Sequence, residues 1–174
     1  KLLMEAGGTP QSDIEKASEL QRKIIDIIHS ENDTLAIREK TVEAIKEMLK
    51  GTPEGENTSE EMISAQAKRW VNVWMIYYLN YDPRPALEKL DIPVIAMIGG
   101  KDLQVSAKDN LRAIRKALEE SEVPYFKLKE IEGLNHLFQT AETGSTIEYG
   151  QIEETISPKA LEVILEFINE FTAM

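Results

Sequence analysis

Hydrophobic positions between residues 11 and 80 recur at helical rather than strand spacing. Ile14, Ala17, Leu20, Ile24, Ile27 and Ile28 follow one helical pattern, and Ser12 or Asp13 ahead of them suits an N-cap. A second amphipathic run opens at Asp33-Thr34, carries Leu35, Ile37, Val42, Ile45 and Leu49, and stops at Gly51. Gly51-Thr52-Pro53-Glu54-Gly55 reads as a loop. A third helix is predicted from its cap Ser59 through Ala65, Trp70, Val73, Trp74, Ile76 and Tyr77 to Leu79. Pro83 and Pro85 then prevent continuation.

The pattern changes after Tyr81. Pro93 to Gly99 is a short continuous apolar run, as expected of a strand buried on both faces. Ala107 to Glu120 is an amphipathic helix with Leu111, Ile114, Ala117 and Leu118 on one side, and Pro124 to Ile131 alternates as a second strand. Lys159 to Phe171 closes the chain as a helix, with Leu161, Ile164, Leu165, Ile168 and Phe171 predicted inward, Pro158 in its first turn and Ser157 as cap. Strand, helix and strand at this spacing predict a right-handed parallel βαβ unit. Two parallel strands alone expose unpaired backbone and apolar faces, so a further strand is expected from a longer chain or another copy. Leu2-Leu3-Met4, within residues 1–5, reads as the end of one. The fold class expected is therefore α/β, with a helical region over 1–80 and the βαβ region over 81–174.

Composition narrows the functions open to such a chain. Its 174 residues hold 20 Lys+Arg against 31 Asp+Glu, a formal net charge of −11. That balance argues against nucleic acid and anionic lipid as partners, since both need clustered Lys and Arg. No apolar run approaches the roughly 20 residues that cross a bilayer. Cysteine is absent, which removes disulfides, cysteine nucleophiles and thiolate metal sites and leaves the compartment open. His29 and His136 are the only histidines, too few for an ordinary zinc site, and His29 in its acidic helix reads as surface or packing.

Candidate chemistry gathers after the two strands. Gly99-Gly100-Lys101-Asp102 follows the first, at the carboxyl end where open α/β sheets place their ligands. Read alone, Asp102 is more readily a turn aspartate capping the helix that follows, because Gly-Gly-x-Asp is common turn chemistry. Glu132-Gly133-Leu134-Asn135-His136 follows the second strand, and an imidazole there suits a general base because it titrates near neutrality. Together the two strands deliver an acid and a histidine to one end of one sheet.

These segments carry a resemblance. Ile92-Pro93-Val94-Ile95-Ala96-Met97-Ile98-Gly99-Gly100-Lys101-Asp102-Leu103-Gln104-Val105, with Asp82-Pro83-Arg84-Pro85 before it, resembles the late strands of α/β-hydrolases, nearest the serine esterase and aminopeptidase-like branch. The family's "Pro-strand-Gly-x-x-Asp-x-x-Val" falls on Asp102, and its "Gly-x-x-His" on Gly133-Leu134-Asn135-His136. The likeness covers Tyr81 to Met174, and the order of acid before histidine agrees with it. It implies a partial α/β-hydrolase fold, with a helical lid, a parallel βαβ unit and a C-terminal helix. It also implies hydrolysis of a carboxylic ester or short peptide-like bond, with Asp102 and His136 as triad acid and base and no cofactor or metal.

The nucleophile elbow G-x-S-x-G is missing. Gly144-Ser145-Thr146 lacks its spacing and Ser106 reads as a helix cap, so the chain alone is expected to be inactive. Trp70, Trp74 and Tyr78 read as helix packing or, in the lid reading, as the wall of a substrate pocket. The alternative from another class is a non-catalytic module that forms a homodimer through an exposed sheet edge. A cation- or phosphate-binding βαβ domain fits less well, because no glycine-rich phosphate loop is present.

Overall fold

A computed structural model describes residues 1–173. It is a mixed α/β structure, about 59% helical, whose one sheet has two parallel strands, so helix packing supplies most of the core. The described residues divide into two compact units, Thr9–Asp82 (with Lys1) and Leu2–Gly8 together with the chain from Pro83 onward.

The helical unit comprises α2 (Gln11–Ser30), α3 (Thr34–Leu49), α4 (Pro53–Asn57), α5 (Glu60–Trp70) and α6 (Val73–Asn80); α1 (Leu2–Ala6) precedes it and belongs to the other unit. Asp33 caps α3 by accepting from the Leu35 and Ala36 amides at 3.2 Å, and the Ser59 hydroxyl caps α5 by accepting from Met62 at 3.2 Å. The helix predicted over 59–79 is broken. Asn72 accepts from the Met75 amide at 2.9 Å and begins α6 as a new helix, while the Val71 side chain turns into the core. Pro10 stands at the start of α2, so Ser12 and Asp13 lie inside its first turn and do not cap it. The loop expected over 51–55 contains the start of α4, which Thr52 caps. Ile24, Ile28, Ile37 and Val71 form one buried cluster, and Ile45, Ile63 and Ala67 another.

In the second unit α7 (Arg84–Leu87) is followed by β1 (Val94–Gly99), α8 (Ala107–Glu119), β2 (Phe126–Ile131), a short 3₁₀ turn (Thr146–Gly150) and α9 (Pro158–Thr172). The strands pair in parallel from Val94 opposite Phe126 to Gly99 opposite Ile131, and α8 packs on both. Ser106 caps α8. Residues 2–6 are helical, not the strand end expected of Leu2-Leu3-Met4. Leu, Met, Glu and Ala are strong helix formers, no β-branched residue opposes them, and Gly7-Gly8 ends the turn.

The orientation of α9 also differs from expectation. Ala160 and Phe167 are its buried residues, with Ala160 and Val163 against Ile131 and Leu134, whereas Leu161, Leu165, Ile168 and Phe171 are exposed. At about 100° per residue the apolar positions of α9 cover roughly 200°, wider than one sheet surface can bury. Spacing alone therefore could not select the inward half. Ser157 does not cap this helix; its buried side chain lies 3.4 Å from the Thr140 hydroxyl. Truncating Phe167 to Ala should cost about 3–5 kcal/mol in denaturant unfolding. Leu165→Ala, at 58% exposure, should stay within about 0.5 kcal/mol. Reversed costs would show that α9 packs through its other face.

Candidate active site

The register that ends with Gly99 opposite Ile131 brings the loops after β1 and β2 side by side. Gly100 donates its amide to the Ile131 carbonyl at 2.8 Å, and Lys101 donates to Leu134 at 2.9 Å. A Cβ on Gly99 would stand 2.2 Å from the Leu134 oxygen and 2.5 Å from that of Asn135. Only glycine allows this approach, so the two loops touch main chain to main chain.

Asp102 and His136 meet there. His136 Nδ1 lies 2.8 Å from Asp102 Oδ2. A carboxylate only accepts, so Nδ1 carries the proton and the neutral ring keeps its lone pair on Nε2. The other carboxylate oxygen, Oδ1, accepts from the Gln104 amide at 2.8 Å and the Val105 amide at 2.9 Å. Asp102 is thus both turn-capping residue and partner of the imidazole, one role for each oxygen. Its side chain is 4% exposed, whereas that of His136 is 39% exposed, so the acid is enclosed and the base faces outward. Among the described residues Nε2 has no hydrogen-bond partner. Ser106 and Ser145 both cap turns of helix, accepting from Asp109 and Ile147.

Several neighbours escaped sequence reasoning. Asn135, fully buried, and Gln139 bond to each other and frame the turn that carries His136. The Lys101 ammonium donates to the Ala141 carbonyl at 2.7 Å and the Glu142 carbonyl at 2.6 Å, fastening the following segment to the Asp102 loop. Gly144, at φ +81°, is pressed on the Lys101 carbonyl, where a Cβ would lie 1.9 Å away. These are loop contacts between residues distant in the chain, and no spacing pattern announces them. The Asn135–Gln139 interval is the single local hint.

The aromatic candidates lie in the helical unit. Trp70 is partly buried against the Ile24, Ile28, Ile37 and Val71 cluster. It also lines an open groove of about 780 Å³ with Met62, Ala65, Arg69 and Met75. Trp74 and Tyr78 stack on each other with centroids 5.2 Å apart and are exposed, so they do not pack into the core. His29 Nε2 donates to the Leu79 carbonyl at 3.1 Å, joining the ends of α2 and α6. Among the described residues there is no cluster of three or more His, Cys, Asp or Glu that could hold a metal, and no helix long and apolar enough to cross a membrane.

No family model matches the chain, and neither a curated protein nor a solved structure does.

Glu148 secures the loop beyond His136. It accepts from the Thr143 hydroxyl, from the Thr143 amide at 2.8 Å and from the Gly144 amide at 3.2 Å. The Thr143 hydroxyl, then the two amides, hold its carboxyl below the usual carboxylate range. A pKa lowered by folding stabilises above the ordinary carboxylate value and is lost as pH falls through the lowered one. Amide-exchange protection at Thr143 and Gly144 should accordingly decline on acidification. In Glu148→Gln it should be weaker at neutral pH and insensitive to this titration; an unchanged pH response in that variant would assign the effect to another group.

Proposed function

We propose that this chain supplies the acid and base of a serine-hydrolase triad within a partial α/β-hydrolase fold. In this reading residues 1–80 form the helical lid and 81–174 the C-terminal part of the core. The supporting observation is the 2.8 Å bond from His136 Nδ1 to an enclosed Asp102, made at the carboxyl ends of adjacent parallel strands, with Nε2 left outward. A serine outside this chain attacks the carbonyl of a carboxylic ester or short peptide-like bond. His136 takes its proton through Nε2 and returns it to the leaving group, while Asp102 orients the ring and stabilises the imidazolium. In the same reading Trp70, Trp74 and Tyr78 are residues of the lid region. The chemistry needs no metal or organic cofactor.

Hydrolysis of para-nitrophenyl esters by the whole reading frame containing this chain tests the proposal. His136→Ala and Asp102→Asn should each lower kcat by on the order of 10³–10⁴, and a fluorophosphonate should label one serine. The 174-residue chain alone should show no turnover above background. Activity undiminished in His136→Ala, or no labelled serine, would sink the assignment.

One feature favours a second reading, a non-catalytic homodimer through the sheet edge. Among the described residues β1 pairs only with β2, and its Val94–Gly99 sequence carries no charge to discourage pairing along the other edge. Two copies would join their β1 strands about a two-fold axis. Light scattering should then report twice the chain mass, and Ile95→Lys should return a monomer. A folded monomer at every concentration excludes this reading.

A further inference from the structure

We infer that Asn135 is the positioning residue for His136: its buried amide holds the turn that delivers the imidazole to Asp102. The inference rests on the acid–base reading of that pair and adds the group that maintains it.

Asn135 is 0% exposed, and both ends of its amide are used. Oδ1 accepts from the Leu137 amide at 2.9 Å and the Gln139 amide at 3.0 Å. The first of these bonds closes a ring around His136 itself, bracketing the backbone angles that aim its side chain. Nδ2 donates to Gln139 Oε1 at 3.0 Å, and Gln139 Nε2 donates to the Glu154 carbonyl at 2.9 Å. Main-chain bonds complete the turn: Asn135 donates to Gln139, Phe138 donates to Asn135, and Ser157 donates to Phe138.

The turn needs that support. Phe138 has φ +57°, a left-handed conformation costly for a large side chain and kept only where its surroundings impose it. Asn135 is the side chain that reaches across the turn from inside. Alanine leaves the buried Gln139 amide and the part-buried Leu137 amide without their acceptor, so the turn relaxes and the imidazole swings from Asp102. Aspartate keeps both acceptor bonds but offers no donor to Gln139 Oε1. Rotating the Gln139 amide to compensate would turn its oxygen onto the Glu154 carbonyl. The site therefore calls for an amide with its nitrogen toward Gln139.

Nitrogen–proton correlation spectra of the His136 ring test this in the chain as it stands. The native ring should show the Nδ1–H tautomer and a downfield, slowly exchanging Nδ1 proton. Asn135→Ala and Asn135→Asp should lose that proton and give mixed tautomers while circular dichroism shows a folded chain. Ala160→Gly, which loosens the core beneath the turn without removing any of its hydrogen bonds, should retain both signals. A folded Asn135→Ala that keeps them, or an Ala160→Gly that loses them equally, overturns the inference. Should the Asn135 variants not fold, Gln139→Ala must still lower the Nδ1–H fraction, and an unchanged fraction overturns it. Asp102→Asn separates the two claims: if it leaves the tautomer unchanged, the acid–base reading fails. If it shifts the tautomer and Asn135→Ala does not, only the role of Asn135 fails.

Discussion

The parallel pairing of β1 with β2 is the constraint on which the site depends. Parallel strands present their carboxyl ends on the same side, so the loops leaving Gly99 and Ile131 emerge together. Had the strands run antiparallel, Asp102 and His136 would sit at opposite ends of the sheet. Helix α8 satisfies the crossover that parallel pairing demands, and its Ala117 and Leu118 are buried in doing so.

Within that frame the two oxygens of Asp102 divide between them the hydrogen bonds that hold the enclosed side chain. Burial of a bare charge is costly, and here three N–H donors compensate, two from the main chain and one from His136. The same bonds remove its freedom to rotate. His136 is held differently: one ring nitrogen is bound to Asp102 and the other has no hydrogen-bond partner among the described residues. Farther out, Lys101 and Glu148 tie successive parts of the following segment by carbonyl and amide contacts, not by ion pairs.

Much of this was legible in the amino-acid order where the signal is local. The apolar run before Gly99, the alternation before Ile131, the helix start at Asp33-Thr34 and the caps Ser59 and Ser106 each stand where spacing and residue type placed them. Asp102 and His136 were legible because each immediately follows a strand. What failed was decided by tertiary contact. The wide apolar arc of α9 has two candidate inward directions, and the sheet surface selects one. The break before Asn72 arises because Val71 is drawn into the helical core, which no helix propensity reveals. Leu2 to Ala6 was too short for periodicity to distinguish strand from helix. Asn135 looked like an ordinary loop residue because its partners lie in a turn that only the folded chain closes.

The contact at Gly99 bears on how such a protein tolerates change. Where two loops meet through side chains, every exchange in the packing beneath them alters the gap between the groups they carry. Here the separation is set by backbone atoms at van der Waals distance, with no side chain between. Neighbours such as Met97 and Leu128 are thereby free to drift in size, trading stability up or down, while the carboxylate and imidazole keep their spacing. The spacing of the pair is insulated from the composition of the core that supports it.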